Sequence, residues 1–278
     1  MSTADAAAAV PSIPPPEPVR RRRMRRLERA ALEGVLIREV INFRSYWRSA
    51  TFSATVEPTV YLLAFGFGFG ALVNSVGGLK YIEFVGTGSV ATAVLFSAAF
   101  GSMYGSFIKR EYQRTYDAIL STPVDTVELV AAEVLWMGGR AGLYGCVPIL
   151  VAMVFGLDPS LGMLLVPFIG MLAGIGWAAF GTAISASAST IENFSYVQSA
   201  VLTPLFLTAG TFFPLDQLPR GIELAANLNP LYHCVQLVRH AVFGFEVGAD
   251  LIHLGAMLLF ALVCLRIAVR QTQRKLVL

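Results

Sequence analysis

Six long apolar blocks alternate with short polar segments along this chain. Together they contain more apolar residues than the single core of a soluble domain could bury. They lie at residues 54–76, 85–108, 134–155, 161–186, 197–212 and 252–269. A helix needs about 20 residues to cross a hydrocarbon core of about 30 Å. The pattern predicts an all-α membrane protein with six transmembrane helices. The fifth is the weakest, because it is short and Pro204 interrupts it.

The segment 27–50, ahead of the first block, has the periodicity of an amphipathic helix. Its apolar positions recur at 100° per residue, and arginines occupy much of the opposite face. We predict an interfacial helix that lies among the lipid headgroups on the cytoplasmic side. Glu39 falls on its apolar face and therefore needs a partner, for which another subunit is one source.

Residues 1–26 are rich in alanine and proline and end in a cluster of arginines. Such a composition cannot bury a core, so we expect a disordered tail. The arginines fit either a nucleic-acid-binding arm or a basic flank of a membrane helix, and the flank is the simpler interpretation. The expected organisation is thus a tail at 1–26, an interfacial helix at 27–50 and a six-helix transmembrane domain at 51–278.

Charge is scarce and unevenly placed. Charged residues make up 14% of the chain, against roughly 25% in soluble proteins. Basic residues concentrate in the N-terminal flank, in the loop after the second block and in the tail after residue 269. The positive-inside rule then places both termini in the cytoplasm of a multi-pass plasma or inner membrane protein. The loop 187–193 has no basic residue, so its cytoplasmic assignment depends only on counting spans.

Two connecting segments carry more information than the spans. Residues 109–133 begin with a polar stretch that suits a short helix closed by Pro123. This helix is either an ordinary amphipathic loop or a docking surface for a soluble partner. Residues 213–250 are apolar but broken by prolines, which predicts short re-entrant helices between spans five and six. Asn229 followed by Pro230 is a typical helix start.

Catalytic and metal-binding patterns are missing from the sequence. A P-loop needs a lysine after glycine, yet none of Lys80, Lys109 and Lys275 follows one. His233, His240 and His253 have no metal-ligand spacing and are expected to be solvated or packed in a core. Glu57 and Arg140 either snorkel or form a functional pair, and we favour the structural role.

Two motifs resemble those of a known family. The stretch E-Y-Q-R-T-Y-D-A-I-L-S-T-P follows the second block, and F-F-P-L-D-Q-L-P followed by N-P-L-Y-H comes after the fifth. Together with the order of helices, over roughly residues 27–270, they resemble the permease subunit of type-2 ABC exporters. The nearest subgroups are the nodulation-type lipo-oligosaccharide exporters and the daunorubicin-resistance-type drug exporters.

That resemblance implies a division of labour between chains. Two permease chains, expected to be identical, would pair in the lipid bilayer. Two copies of a separate ABC ATPase would carry ATP and magnesium, and this chain would hold no cofactor or metal. An amphipathic substrate, such as a lipid-linked oligosaccharide, a glycolipid or a hydrophobic drug, would leave the cytoplasm by alternating access at the dimer interface.

The resemblance also implies two groups of functional residues. The residues expected to couple to the ATPase are Glu111, Arg114, Tyr116, Asp117, Thr122 and Pro123, with Glu39 from the interfacial helix. The residues expected along the substrate path are Phe65, Phe69, Thr203, Phe206, Leu207 and Thr208. Span five contains no lysine or arginine, which argues against a strongly anionic binding site there.

Two other functions remain open at this point. A membrane enzyme would need a catalytic set inside the membrane, and the sequence shows none. A non-transporting scaffold or assembly protein would share the fold but need no nucleotide. A nucleic-acid partner is not expected, because the arginine cluster is explained by the membrane flank.

Overall fold

The computed structural model describes residues 28–68, 70, 72–73, 75–215, 221 and 226–277. The predicted tail at 1–26 and Phe69 lie outside these residues. The described chain is mostly helical, with one small hairpin, so the all-α class is confirmed.

The first helix, α1, runs without a break over Arg29–Gly68. The predicted boundary between an interfacial helix and a first span, at residue 50, therefore falls inside one continuous helix. Several of its hydroxyl side chains satisfy their own hydrogen-bonding groups within the helix. Thr55 and Thr59 each donate a 2.6 Å bond to the carbonyl four residues earlier, and Ser45 and Ser49 donate to carbonyls three residues earlier.

A tight hairpin replaces the end of the predicted first span. Strands β1 (Ser75–Val76) and β2 (Leu79–Lys80) pair antiparallel across Gly77 and Gly78. Both glycines have positive φ, 59° and 83°, which a two-residue hairpin turn of the primed type requires. The apolar block extends to Val76, but the chain leaves the helix at Gly68.

Four α-helices, a π-helical turn and a 3-10 turn follow in the middle of the chain. Helix α2 (Tyr81–Phe107) continues into a π-helical turn (Ile108–Tyr112). The short helix α3 (Thr115–Leu120) precedes α4 (Thr126–Val154). Asp125 caps α4 by accepting a 2.6 Å bond from the Thr126 nitrogen, and the Glu128 carboxylate accepts one from the Asp125 nitrogen. A 3-10 turn (Leu161–Leu165) leads into α5 (Val166–Ser187).

The predicted fifth span, residues 197–212, overlaps three consecutive five-residue pieces, and the helical structure ends at Leu207. These pieces are α6 (Asn193–Val197), a π-helical turn (Gln198–Leu202) and α7 (Thr203–Leu207). The Thr203 hydroxyl donates to the Gln198 carbonyl five residues earlier. Helix α8 (Pro230–Phe243) starts where the Asn-Pro pair predicts, with Asn229 Oδ1 accepting from the Leu231 nitrogen. Helix α9 (Val247–Val277) ends the chain.

Four helices in the described part of the chain are long and apolar enough to cross a membrane. They cover Tyr81–Tyr112, Thr126–Val154, Leu161–Ser187 and Val247–Leu276. The most apolar stretch of the first is 78% buried inside the protein, while that of the last is only 22% buried. Helix α2 is thus central and α9 peripheral. The structure supports these four spans, and it does not establish the count of six.

Helices α4 and α5 approach each other through glycines spaced four residues apart. Gly138 and Gly142 on α4 face Gly170 and Gly174 on α5, which is the close-packing pattern of membrane helices. A Cβ atom at Gly142 would lie 2.6 Å from the Met171 backbone nitrogen. Only glycine therefore fits at this crossing.

Candidate functional site

A buried ion-pair network joins the elements around the polar loop. Lys109, at the end of α2, places its Nζ 2.8 Å from Glu39 Oε1 and 2.9 Å from Glu133 Oε1. Both carboxylates are almost inaccessible to solvent, at 2% and 4% side-chain exposure. Glu39 thus finds its partner within its own chain. Val35 and Glu39 of the N-terminal helix are buried inside the protein, so no second subunit is needed to pair Glu39, while Val40, Tyr46 and Trp47 of the same helix are exposed.

Tyr116 connects α3 to the same network. Its hydroxyl donates to Glu133 Oε2, and the side chain is fully buried. Burial, and next the Glu133 carboxylate, raise the pKa of Tyr116 well above its ordinary value, so this hydroxyl remains a donor. The network therefore fixes α3 against α1, α4 and the end of α2.

Arg38 completes the charge balance. Its Nη1 lies 2.8 Å from Glu39 Oε1, and about a third of its side chain is exposed. Two carboxylates are then matched by two cations, which is how buried charges are tolerated. Because Arg38 reaches the surface, the network can respond to a molecule that binds there.

A groove of about 540 Å³ opens beside Arg38, between the start of α1 and α3. Small and apolar side chains form most of its walls, and Arg38 and Glu28 contribute charge. The lining residues are Glu28, Ala30, Ala31, Gly34, Val35, Arg38, Thr115, Ala118, Ile119, Thr122, Pro123 and Val124.

The residues predicted to couple to an ATPase occupy three environments. Thr122 and Pro123 line the groove. Glu39 and Tyr116 are buried in the ion-pair network. Arg114 and Asp117 are exposed, with Nη1 and Oδ2 3.7 Å apart. Glu111 is half-buried and accepts a 3.0 Å bond from Arg110 Nε. The predicted set therefore combines a surface with the buried contacts beneath it.

The sequence used the basic residues of this loop only to assign it to the cytoplasm, and the structure shows that two of them are buried. Lys109 holds the network together, and Arg110 Nη2 donates a 2.9 Å bond to the Ser185 carbonyl at the end of α5. Glu39 on an apolar helix face and Glu133 at the start of an apolar block were the signals that could have revealed their shared contact with Lys109.

The predicted path residues are only partly brought together. Phe65 and Phe206 both pack against Phe212, with ring centroids 4.5 and 5.3 Å apart. Thr203 and Leu207 lie on the exposed side of α7. The Thr208 hydroxyl donates to the Pro204 carbonyl and lies 3.4 Å from Asn229 Nδ2, which ties α7 to the start of α8.

The three histidines, expected to be solvated or packed in a core, are neighbours. His233 Nδ1 and His253 Nδ1 lie 2.7 Å apart, and His240 Nδ1 lies 2.6 Å from Asp250 Oδ1. They converge because α8 and α9 form a hairpin. Among the described residues, no group of histidine, cysteine and acidic side chains has the geometry of a metal site.

Comparison with known proteins identifies the family. Residues 33–243 match the family described as ABC-2 type transporter. Nodulation protein J of Rhizobium leguminosarum bv. trifolii is 31% identical over 83% of this chain and 89% of its own. Nodulation protein J of Bradyrhizobium diazoefficiens is 32% identical over 77% of this chain and 84% of its own.

A more distant relative is the Inner membrane transport permease YadH of Escherichia coli K12. It is 23% identical over 83% of this chain and 90% of its own. The resemblance drawn from the two loop motifs is confirmed by this family match, which includes the ion-pair network, α3 and α8. This chain is a multi-pass membrane protein that belongs to the ABC-2 type transporter family.

Proposed function

We propose that this chain is the membrane-spanning permease subunit of an ATP-driven exporter. Membership in the ABC-2 family implies association with an ABC ATPase, and the sequence contains no P-loop lysine of its own. The proposed assembly contains two copies of this chain and two of the ATPase. It lies in the inner membrane, the location in the name of its Escherichia coli relative, with both termini in the cytoplasm.

The groove beside α3 and the ion-pair network beneath it carry this proposal. A groove formed by a short helix and an N-terminal helix offers a soluble partner two elements to move at once. Ala118 and Ile119 give this surface an apolar centre, and Arg38 adds a cation at its edge. Of the exposed pair, Asp117 lies on α3 and Arg114 immediately precedes it.

Movement of α3 would be transmitted to the membrane-spanning helices through buried side-chain contacts that are costly to break. Tyr116 holds Glu133 on α4, and Lys109 joins Glu133 to Glu39 on α1. Breaking a buried pair leaves an unpaired charge, at a cost of about 3–5 kcal/mol. A push on α3 is therefore expected to displace α1, α4 and the end of α2 together, and this switches the permease between inward-facing and outward-facing states.

The substrate class proposed is an amphipathic molecule that passes along the permease dimer interface. The rings of Phe65, Phe206 and Phe212 form an apolar surface, and the hydroxyls of Thr203 and Thr208 lie beside it. Phe69 and Leu207 belong to the proposed path by sequence. A lipid-linked oligosaccharide, a glycolipid and a hydrophobic drug all combine the apolar and polar parts that such a surface would contact.

Charge reversal on α3 tests the coupling. The chain is co-purified with its ATPase and reconstituted in liposomes, and ATP hydrolysis and export are measured for R114D and D117R. Both variants should lose substrate-stimulated hydrolysis and export. They should remain folded, because an exposed pair contributes only about 0–1 kcal/mol.

The double variant R114D/D117R is the matched control, since it restores an opposite-charge pair with the polarity reversed. If the double variant also loses coupling, the ATPase recognises each charge at its own position and not only the presence of an ion pair. Normal export in both single variants would rule out α3 as the coupling helix. ATP-independent function of the chain alone would instead favour a scaffold.

A further inference from the structure

We propose that Arg140 binds the acidic group of an amphipathic anion in a cavity enclosed by α1, α2 and α4. The ligand's charged group is a phosphate, sulfate or carboxylate, and its source is either the exported substrate or a membrane lipid. The substrate source depends on the function proposed above, whereas the binding site itself does not.

Arg140 lies near the middle of α4 (Thr126–Val154), a helix with the length and apolarity of a membrane span. A charged side chain at such a depth is costly, and in membrane proteins it normally faces a partner or a cavity. The side chain of Arg140 belongs to the lining of a cavity of about 360 Å³.

No carboxylate among the described side chains is within ion-pair distance of Arg140. Its Nη2 contacts Met137 Sδ at 3.2 Å, its guanidinium carbon lies 5.8 Å from the Phe43 ring centroid, and its buried Nε has no acceptor. Lys109 and Arg110, in contrast, each contact a carboxylate. Arg140 is thus a cation with donors left unused.

The rest of the cavity wall suits an amphiphile. Tyr61, Phe96 and Phe100 supply apolar surface, and Ser89, Thr92 and Ser97 supply hydroxyls. The Ser89 hydroxyl is buried and has no hydrogen-bond partner in the described structure. A guanidinium can hold two oxygens of a phosphate or carboxylate in parallel bonds. Arg140 Nη2 lies against Gly101 of α2, so Ser97, one helical turn away, is the hydroxyl placed to donate to a remaining oxygen. Ser89 lies about 18 Å from Gly101 along α2 and suits a polar group at the other end of the ligand.

The cavity adjoins the proposed substrate path. Phe96 in its wall packs against Phe206 at 5.5 Å between ring centroids, and Phe212 in its wall packs against Phe65 at 4.5 Å. Span five lacks a cation, as the sequence shows, but a cation reaches the same region from α4. The absence of lysine and arginine in span five therefore does not exclude an anionic substrate.

Binding is tested on the permease chain alone, in phosphatidylcholine nanodiscs. Dodecyl phosphate is titrated and followed by tryptophan fluorescence, because Trp136 lies one helical turn before Arg140. R140Q should weaken binding by about tenfold or more, since it removes a charge-assisted bidentate contact. The affinity of R140K should lie between those of R140Q and the wild type, because lysine retains the charge but lacks the planar guanidinium group. R44Q removes an exposed arginine from α1 and should bind like the wild type.

Dodecyl maltoside is the neutral probe, and its binding should not change in R140Q. Without ligand, R140Q should unfold at the same temperature as the wild type or higher, because it removes an uncompensated charge. Equal dodecyl phosphate affinity in R140Q and the wild type would overturn the proposal. So would a marked loss of thermal stability in R140Q without ligand, since that identifies a structural role.

Two further measurements identify the source of the ligand. If the anion is cargo, dodecyl phosphate should stimulate ATP hydrolysis by the complex with the ATPase, and R140Q should abolish that stimulation. If it is a resident lipid, phosphatidylglycerol should co-purify with the wild type and be depleted in R140Q by mass spectrometry. If dodecyl phosphate binds the isolated chain but does not stimulate ATP hydrolysis by the complex, the anion site is supported and its use in export is contradicted.

Discussion

At the scale of single residues, burial decides what each charge does. Lys109 and Arg114 belong to the same basic loop and are indistinguishable by the positive-inside rule. The structure buries Lys109 between two carboxylates and leaves Arg114 71% exposed beside Asp117. The first holds helices together, and the second is available to a partner. Sequence could name both positions, but only the packing of α1 against α4 separates their roles.

The histidine cluster provides a prediction at this scale. Desolvation in the α8–α9 hairpin lowers the pKa of His233 below its ordinary 6.5, and the acceptor Asn227 carbonyl opposes this only partly. The unfolded chain therefore binds this proton more readily than the native one. Stability from His233 is present above its ordinary pKa and is lost as pH falls from there towards the lower native value.

We expect the unfolding temperature of the detergent-purified chain to fall between pH 7.5 and 5.5, and to fall less in H233Q. The comparison with H233Q is needed because His253, His240, Asp250 and Glu246 also face this cluster. An identical pH dependence in H233Q and the wild type would show that His233 does not contribute.

At the scale of elements, small residues and hydroxyls determine which helices run straight and which meet. Helix α1 passes residue 50 unbroken, and Thr55 and Thr59 satisfy their hydroxyls by bonding to carbonyls of the same helix. Helices α4 and α5 touch through glycines. Apolar periodicity located α4 and α5, yet it could not show that they cross at Gly138 and Gly174. The G-x-x-x-G spacing on both helices was the available signal.

Two neighbouring glycines on α4 give a matched test of this crossing. A Cβ at Gly138 would lie 2.6 Å from Ile175 Cγ1, whereas nothing lies within 4 Å of one at Gly139. G138A should destabilise the protein by about 1–3 kcal/mol through overpacking. G139A should be neutral or stabilising by up to about 1 kcal/mol, because alanine favours the helix. Thermal unfolding in detergent measures both, and equal effects would contradict the close crossing.

At the scale of the whole molecule, the topology depends on how many helices cross the membrane. Four helices qualify by length and apolarity. The C-terminal part of α1 would have to be another span. The three pieces from Asn193 to Leu207 are only about 22 Å long as a helix. This segment would therefore either thin the bilayer locally or enter it without crossing.

Cysteine labelling distinguishes these arrangements. In a variant without native cysteines, single cysteines replace the exposed residues Ser121, Asp158, Ser189 and Phe245. With six spans and cytoplasmic termini, an impermeant maleimide should label D158C and F245C in intact cells, and S121C and S189C only after lysis. Labelling of F245C and S189C only after lysis would show that the segment between them does not cross.

The sequence alone determined the membrane class, the family and the helix start at Asn229, because each depends on local composition or on a short motif. It also named Glu39, Tyr116 and Glu133 without pairing them. Tertiary structure decided that these three meet at Lys109, that the histidines converge and that Arg140 faces a cavity. Each of these depends on helices separated by tens of residues coming into contact. The period of an apolar pattern shows that a face is buried, and it does not show what lies opposite.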